Sequence, residues 1–344
     1  MFDALNSQYL LDCFFRLVET PSPVSYHVKM NPVLTDMAAK LGLDVTFDNR
    51  SNAYIRMQGE NTEKTVLVSA HADTVGMMVR GIDKEGRILF RSMGSPNLCS
   101  SESENVTVHT RDGKTYTGIL ICTSHSIHAF DDTRTKERND DTMVVVLDEP
   151  VAIKADVEKL GIRAGDIISI DARPTLTDNG YLKSRYIDDK GAVACIFATL
   201  RALTESGKKP KYNTIFQITY YEENSGGIPI PDGVSEMIGL DIGIVASGQA
   251  STERGVSICA KDFSNVYDYT FISELSALAE RIGCTYAVDV FYRYGSDVGM
   301  ALKAGKDIRA ALFGMGVLAS HGVERTHVSA LENTAALLYA YLTE

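Results

Sequence analysis

A chain of 344 residues exceeds what one compact domain usually holds, so two domains are expected, and hydrophobic and charged fractions of 44% and 23% exclude a disordered or fibrous protein. A formal net charge of −11 argues against a nucleic-acid partner or an anionic membrane surface. The opening residues, Met1 to Leu11, lack a basic leader region, and no apolar run approaches the length of a membrane span, so a cytoplasmic protein is expected. The six cysteines are scattered without a Cys-x-x-Cys pair, and they read as free thiols of a reducing compartment.

In chain order, residues 7 to 19 place Leu10, Leu11, Phe14, Phe15 and Val18 at helical spacing before Pro21 and Pro23 end the pattern. Val28 to Leu41 repeats that signature less cleanly, and two short strands follow at 45–47 and 52–57. Thr65 to Ala70 is an apolar, β-branched run that delivers His71-Ala72-Asp73 to its carboxyl end. From about residue 76 to 183 the texture changes to short alternating strands joined by turns such as Asp83-Lys84-Glu85-Gly86 and Arg111-Asp112-Gly113-Lys114. This predicts an inserted small all-β barrel domain, 76–183, with the α/β domain formed by 1–75 and 184–344. The charged stretch Thr123 to Asp141 reads as a mobile surface loop in which His125 and His128 are solvated.

Beyond the insert, Asp188 and Asp189 stand on the turn before a helical pattern, Ala192 to Leu203. Acidic residues at a helix start are often no more than caps. Thr214 to Tyr220 reads as a buried strand that gives way to Tyr221-Glu222-Glu223-Asn224-Ser225-Gly226-Gly227. In open α/β sheets the carboxyl ends of strands collect ligands and catalytic groups, although a lone Glu-Glu pair is more often a solvated turn. Ile238 to Val245 is a further strand candidate interrupted by Asp241, a carboxylate that needs a partner in such a run. Helix at 271–282, strand at 285–291 and a helix starting near Gly295-Ser296-Asp297 lead to Ile308–Gly314, to His321-Gly322-Val323-Glu324-Arg325-Thr326-His327, and to a last helix over 331–342.

The α/β part thus presents His71, Asp73, Asp188, Glu222, Glu223, Asp241 and His321, most of them at strand ends or in adjoining turns. Imidazoles and carboxylates without cysteine suit a pair of divalent ions such as zinc, cobalt or manganese, and one carboxylate can bridge ions about 3.5 to 4 Å apart. The spare glutamate of the 222/223 pair would then exchange a proton with water and the leaving amine.

His71-Ala72-Asp73-Thr74-Val75-Gly76, Asp188-Asp189-Lys190, Glu222-Glu223 and the late His321 resemble, in order and rough spacing, the M42 family of metallo-aminopeptidases, the glutamyl or tetrahedral aminopeptidase group. The resemblance spans almost the whole chain and implies a zinc-peptidase-like α/β fold, a mixed sheet flanked by helices with the inserted barrel. It implies terminal metal ligands at His71, Glu223, Asp241 and His321, a bridge at Asp188, Asp73 as the carboxylate orienting the His71 ring, and Glu222 as general base and acid. Two divalent ions per chain, short peptides or dipeptide-like molecules as substrates, and a homo-oligomer between a dimer and a dodecamer come with it. Lys190 stands where the family usually has arginine, and Ala246 lies nearer the family's usual spacing than Asp241 does. The late block departs from the family's His-Ser-Pro pattern, which makes His327 a rival to His321, and it resembles a branch associated with osmoprotectant dipeptide systems. The expected activity is removal of N-terminal residues from short peptides; the alternative is a metal-dependent amidase or deacylase for a blocked dipeptide-like substrate.

Overall fold

Residues 5–344 are described by a computed structural model. Two helices, α1 (Ser7–Val18) and α2 (Met30–Ala39), precede strands β1 (Thr46–Phe47), β2 (Ala53–Met57) and β3 (Asn61–His71). The chain then builds a compact unit, Thr74–Ala172, from β4 (Gly76–Ile82), β5 (Ile88–Met93), α3 (Leu98–Ser101), β6 (Asn105–His109), β7 (Thr115–Cys122), β8 (Met143–Leu147), α4 (Lys154–Lys159) and β9 (Ile167–Ile170). It returns through β10 (Thr175–Leu176), β11 (Tyr181–Ser184), α5 (Ile187–Ser206), β12 (Tyr212–Thr219), β13 (Val234–Leu240), β14 (Gly243–Ile244), β15 (Val256–Lys261), α6 (Tyr269–Ile282), β16 (Tyr286–Val290), α7 (Asp297–Lys303), β17 (Arg309–Val317), β18 (Glu324–His327) and α8 (Val328–Thr343).

The segments before and after Thr74–Ala172 form one α/β unit around a mixed sheet ordered β1-β2-β12-β3-β13-β17-β15-β16, with β14 beside β17. Strands β12, β3, β13 and β17 run parallel, so their carboxyl ends share one edge. The apolar stripe of α1, Leu10, Cys13, Phe14, Leu17 and Val18, is buried against α5, and Asn6 caps the helix by accepting from the Tyr9 N–H. Helix α5 lies between α1, α8 and the sheet and is buried almost all round, until Gly207 at φ 66° ends it. Ile196, Phe197, Leu200 and Leu203 have no exposed surface, and each contributes about 1.5–3 kcal/mol by leaving water.

Strand pairing places two segments differently from their sequence pattern. Strand β13 stops at Leu240, so Asp241 stands just past a strand end rather than inside a strand, ahead of the short β14. Residues from Arg173 to 183, which strand texture assigned to the insert, belong to the α/β unit, because β11 pairs with β10 and with β18, a partner from the far end of the chain.

The unit Thr74–Ala172 is a closed six-stranded antiparallel barrel, ordered β4-β5-β8-β7-β6-β9 and back to β4. Alternation along each strand sends Met77, Phe90, Val106, Leu120, Val145 and Ile168 into its core, and closure leaves no unpaired strand in the ring. No strand or helix lies between Cys122 and Met143, where the His125 ring packs edge-on against Phe130.

Candidate metal centre

Adjacent parallel strands deliver the polar residues to one place. His71 is the last residue of β3, paired with Thr219 at the end of β12, and β12 runs on through Tyr220 and Tyr221 into a single 3₁₀ turn, Glu222–Asn224. Asp241 follows β13, and the turn after β17 carries His321, whose φ of 63° is uncommon for a residue with a side chain. Gly314 of β17 lets that strand pass Asp241: a Cβ there would fall 1.9 Å from the Asp241 carbonyl oxygen. Asp188 enters from the first turn of α5, and the Asp188–Asp189 peptide is cis.

Among the described residues two groups of ligand-type atoms result, His71 with Asp188 and Asp241, and Asp188 with Glu223 and His321, the atoms of each group lying within 4.8 Å of one another. Asp188 belongs to both, one oxygen 3.1 Å from His71 Nε2 and the other 3.6 Å from His321 Nε2. His321 Nε2 is also 3.4 Å from Glu223. Glu222 is in neither group, though its carboxylate comes within 3.7 Å of His71 Nε2.

Asp73 serves two neighbours. Its backbone oxygen lies 3.0 Å from His71 Nδ1 and its carboxylate 3.6 Å, while the same carboxylate accepts the Glu222 and Glu223 N–H groups at 3.3 and 3.1 Å. The ring, held by the Asp73 backbone carbonyl, and the acidic turn, held by its carboxylate, are therefore fixed by one residue. Asp189 accepts the His71 N–H at 3.2 Å, and its other oxygen is buried without a hydrogen-bond partner. Glu324 accepts the Asp188 N–H at 3.0 Å and the His321 N–H at 3.1 Å, and Asp297 accepts the Thr219 hydroxyl at 2.6 Å. Sequence reading gave Glu324 and Asp297 no role, and Asp189 none beyond a helix-start cap in the Asp188-Asp189-Lys190 motif. The available signal for Glu324 was its place three residues after His321, within reach of a turn's N–H groups.

His327 sits elsewhere. Its Nδ1 meets Ser329 and its Nε2 the Asn179 carbonyl oxygen at 2.9 Å, so it caps α8 and is in neither ligand-type group. Of the arginines able to hold a substrate carboxylate, Arg325 is paired with Glu253 at 2.6 and 2.9 Å and Arg254 lies over the Tyr181 ring, whereas Arg293 borders a cavity of about 530 Å³ beside Glu222. A second cavity, about 430 Å³, opens among Lys64, Tyr212, Glu236 and Arg309 at the opposite ends of the same strands and touches none of these groups.

The charges do not balance on protein groups alone. Burial, together with Asp188, pushes the Asp241 carboxyl up to about 8. Glu324 rises to about 8 and Asp297 to about 6, burial being the main cause of each. Burial and neighbouring carboxylates also raise Glu222, Glu223 and Asp189 well above the ordinary range. Burial would depress the His71 imidazolium, but its bonds to Asp188 and Asp73 outweigh that and raise it. The buried Lys190 ammonium, depressed to about 7 by desolvation, donates to the Thr20 carbonyl at 2.7 Å and reaches none of the ligand-type carboxylates by hydrogen bond. A buried set of oxygen and nitrogen donors with excess negative charge and an orphaned Asp189 oxygen is what divalent cations fit.

Fold and site together define an α/β protein with a candidate metal centre at the carboxyl edge of its sheet. The family described as M42 glutamyl aminopeptidase matches residues 51–337. The putative aminopeptidase YhfE of Bacillus subtilis is 36% identical over 328 residues, 95% of each chain, and the lysyl aminopeptidase of Pyrococcus furiosus is 23% identical over 71% of this chain and 64% of its own. In fold, the TET aminopeptidase of a marine sediment Thaumarchaeota archaeon superposes with a TM-score of 0.85 over 97% of both chains at 17% identity. The Pyrococcus horikoshii TET1 peptidase, described as able to assemble into a tetrahedron or a large octahedral shell, does so at 0.84 over 97% of this chain and 99% of its own at 19% identity. The chain belongs to the M42 family of metal-dependent aminopeptidases and is a peptide-bond hydrolase.

Proposed function

We propose that this enzyme is a two-metal aminopeptidase that removes N-terminal residues from short peptides. The supporting observation is the shared carboxylate: Asp188 stands in both ligand-type groups, and Glu222 stands beside them in neither. His71, Asp188 and Asp241 would hold one divalent cation and Asp188, Glu223 and His321 the other, zinc being the expected metal with cobalt or manganese as substitutes. When bound, such a pair supplies Lewis acidity toward the carbonyl and lowers the pKa of water.

The chain's own groups do the rest. Glu222 accepts a proton as the water oxygen bonds to the scissile carbonyl carbon, then delivers it to the amine nitrogen as the C–N bond breaks. Asp73 keeps Glu222 and Glu223 in place through their backbone N–H groups and keeps the His71 ring turned toward Asp188. Arg293 and Lys303, on the rim of the adjoining cavity, offer positive charge to an incoming peptide.

The barrel unit serves assembly and access, and the working form is a homo-oligomer, a reading supported by the assemblies described for fold relatives. A cytoplasmic setting is supported by six cysteines that are all unpaired. Metal analysis on loaded protein, paired with free-amine and N-acylated dipeptides, tests the activity. Two equivalents per chain and cleavage of free-amine peptides are expected. One equivalent or less removes the second metal, and cleavage confined to N-acyl substrates makes the protein a deacylase. A monomer in light scattering would end the assembly role.

A further inference from the structure

Among the described residues, few buried side-chain polar atoms lack a partner, and the Tyr294 hydroxyl is one of them. Tyr294 lies on the segment between β16 and α7, fixed by its carbonyl, which accepts the Phe263 N–H at 3.0 Å, and by the Phe291 ring 5.2 Å away. An unbonded buried hydroxyl costs about 1–3 kcal/mol, so phenylalanine would serve the fold better. Its surroundings point to a use. The residue lines the cavity that Glu222 also lines, and its hydroxyl stands beside Asp241 without meeting ordinary hydrogen-bond geometry. A phenol keeps its proton at neutral pH, so the hydroxyl is available as a donor.

We infer that the Tyr294 hydroxyl is a catalytic donor, hydrogen-bonding the oxygen of the scissile carbonyl as negative charge gathers there. As water bonds to the carbonyl carbon, Glu222 takes the proton and the π-electron pair moves to that oxygen. The phenol donates its hydrogen bond to the oxygen and keeps its proton throughout. When the C–N bond breaks, the proton on Glu222 goes to the leaving amine and the carbonyl reforms. The bond is stronger in the transition state than with neutral substrate, so its worth falls on kcat rather than KM.

This inference rests on the aminopeptidase reading, and the test separates the two. Tyr294→Phe in the full, metal-loaded chain removes one oxygen. Expected are a kcat about 10²–10³-fold lower, a KM within about twofold, unchanged metal content, and a thermal midpoint no lower than that of the wild type. Calorimetry with a phosphinate dipeptide, a tetrahedral mimic, should show weaker binding in proportion to the loss in kcat/KM. Unchanged kcat and phosphinate affinity, in protein whose wild type cleaves peptides, overturns the inference alone. Loss of metal or of folding makes the hydroxyl structural and overturns it too. Wild-type protein inactive on every peptide instead removes the aminopeptidase reading.

Discussion

Glu222 and Glu223 are neighbours on one 3₁₀ turn, yet they face different chemistry. Glu223 lies 3.4 Å from His321 within a ligand-type group, whereas Glu222 borders the cavity and lies 3.7 Å from His71 outside both groups. Glu223→Gln removes a charge from that group, so metal content and turnover are expected to fall together. On the proposed mechanism, Glu222→Gln is expected to remove the proton acceptor alone, with metal content retained while turnover drops about 10²–10⁴-fold. Metal analysis and kinetics on both variants decide it. Metal loss from Glu222→Gln with full retention in Glu223→Gln would exchange the roles.

At the scale of elements, the turn joining β17 to β18 and the start of α8 divide two histidines between two tasks. Glu324, the first residue of β18, accepts N–H groups from both Asp188 and His321, which ties that turn to the first turn of α5. His327, the last residue of β18, accepts the Ser329 N–H and caps α8. His321→Ala is therefore expected to lose metal. His327→Ala should bind metal normally and lose about 0.5–2 kcal/mol of stability, the usual worth of a helix cap. Metal titration with thermal melts of both variants checks this, and metal loss from His327→Ala alone would move the ligand to position 327.

For the whole molecule, the same acidic cluster sets how stability responds to pH and metal. Unfolded, these carboxyls titrate near about 4. Folded and without metal, Asp241 and Glu324 hold their protons to about 8 and Asp297 to about 6. Between those limits the folded chain binds protons that the unfolded chain has released, so raising the pH favours unfolding. The raised His71 imidazolium acts with the same sign, its contribution present at low pH and lost as pH rises. Chelated protein should thus melt at progressively lower temperature from about pH 5 to about pH 8, and added divalent metal should restore most at the upper end. A melting temperature that climbs with pH in chelated protein would contradict this.

Much of this molecule is written in short-range pattern. The apolar spacing of α1, the run that becomes β3, and the alternation that closes the barrel are local signals, and the residues at strand ends stand out because a motif keeps its order along the chain. What the sequence by itself determined is the fold class and the candidate set His71, Asp73, Asp188, Glu222, Glu223, Asp241 and His321, while the roles of Asp189, Asp297 and Glu324 did not stand out in it. Only the tertiary structure decided their partners. The parallel register sets His71 beside Thr219 and places Asp241 past the end of β13, and a slip of one residue would turn those side chains to the other face. Asp73 meets Glu222 across 149 residues and Glu324 meets Asp188 across 136, and those bonds set the geometry of the acidic turn and of the His321 loop. The end of the barrel unit at Ala172 and the orphaned hydroxyl of Tyr294 beside Asp241 have the same origin. Each depends on which distant strand lies alongside, and hydrophobic periodicity carries no record of that.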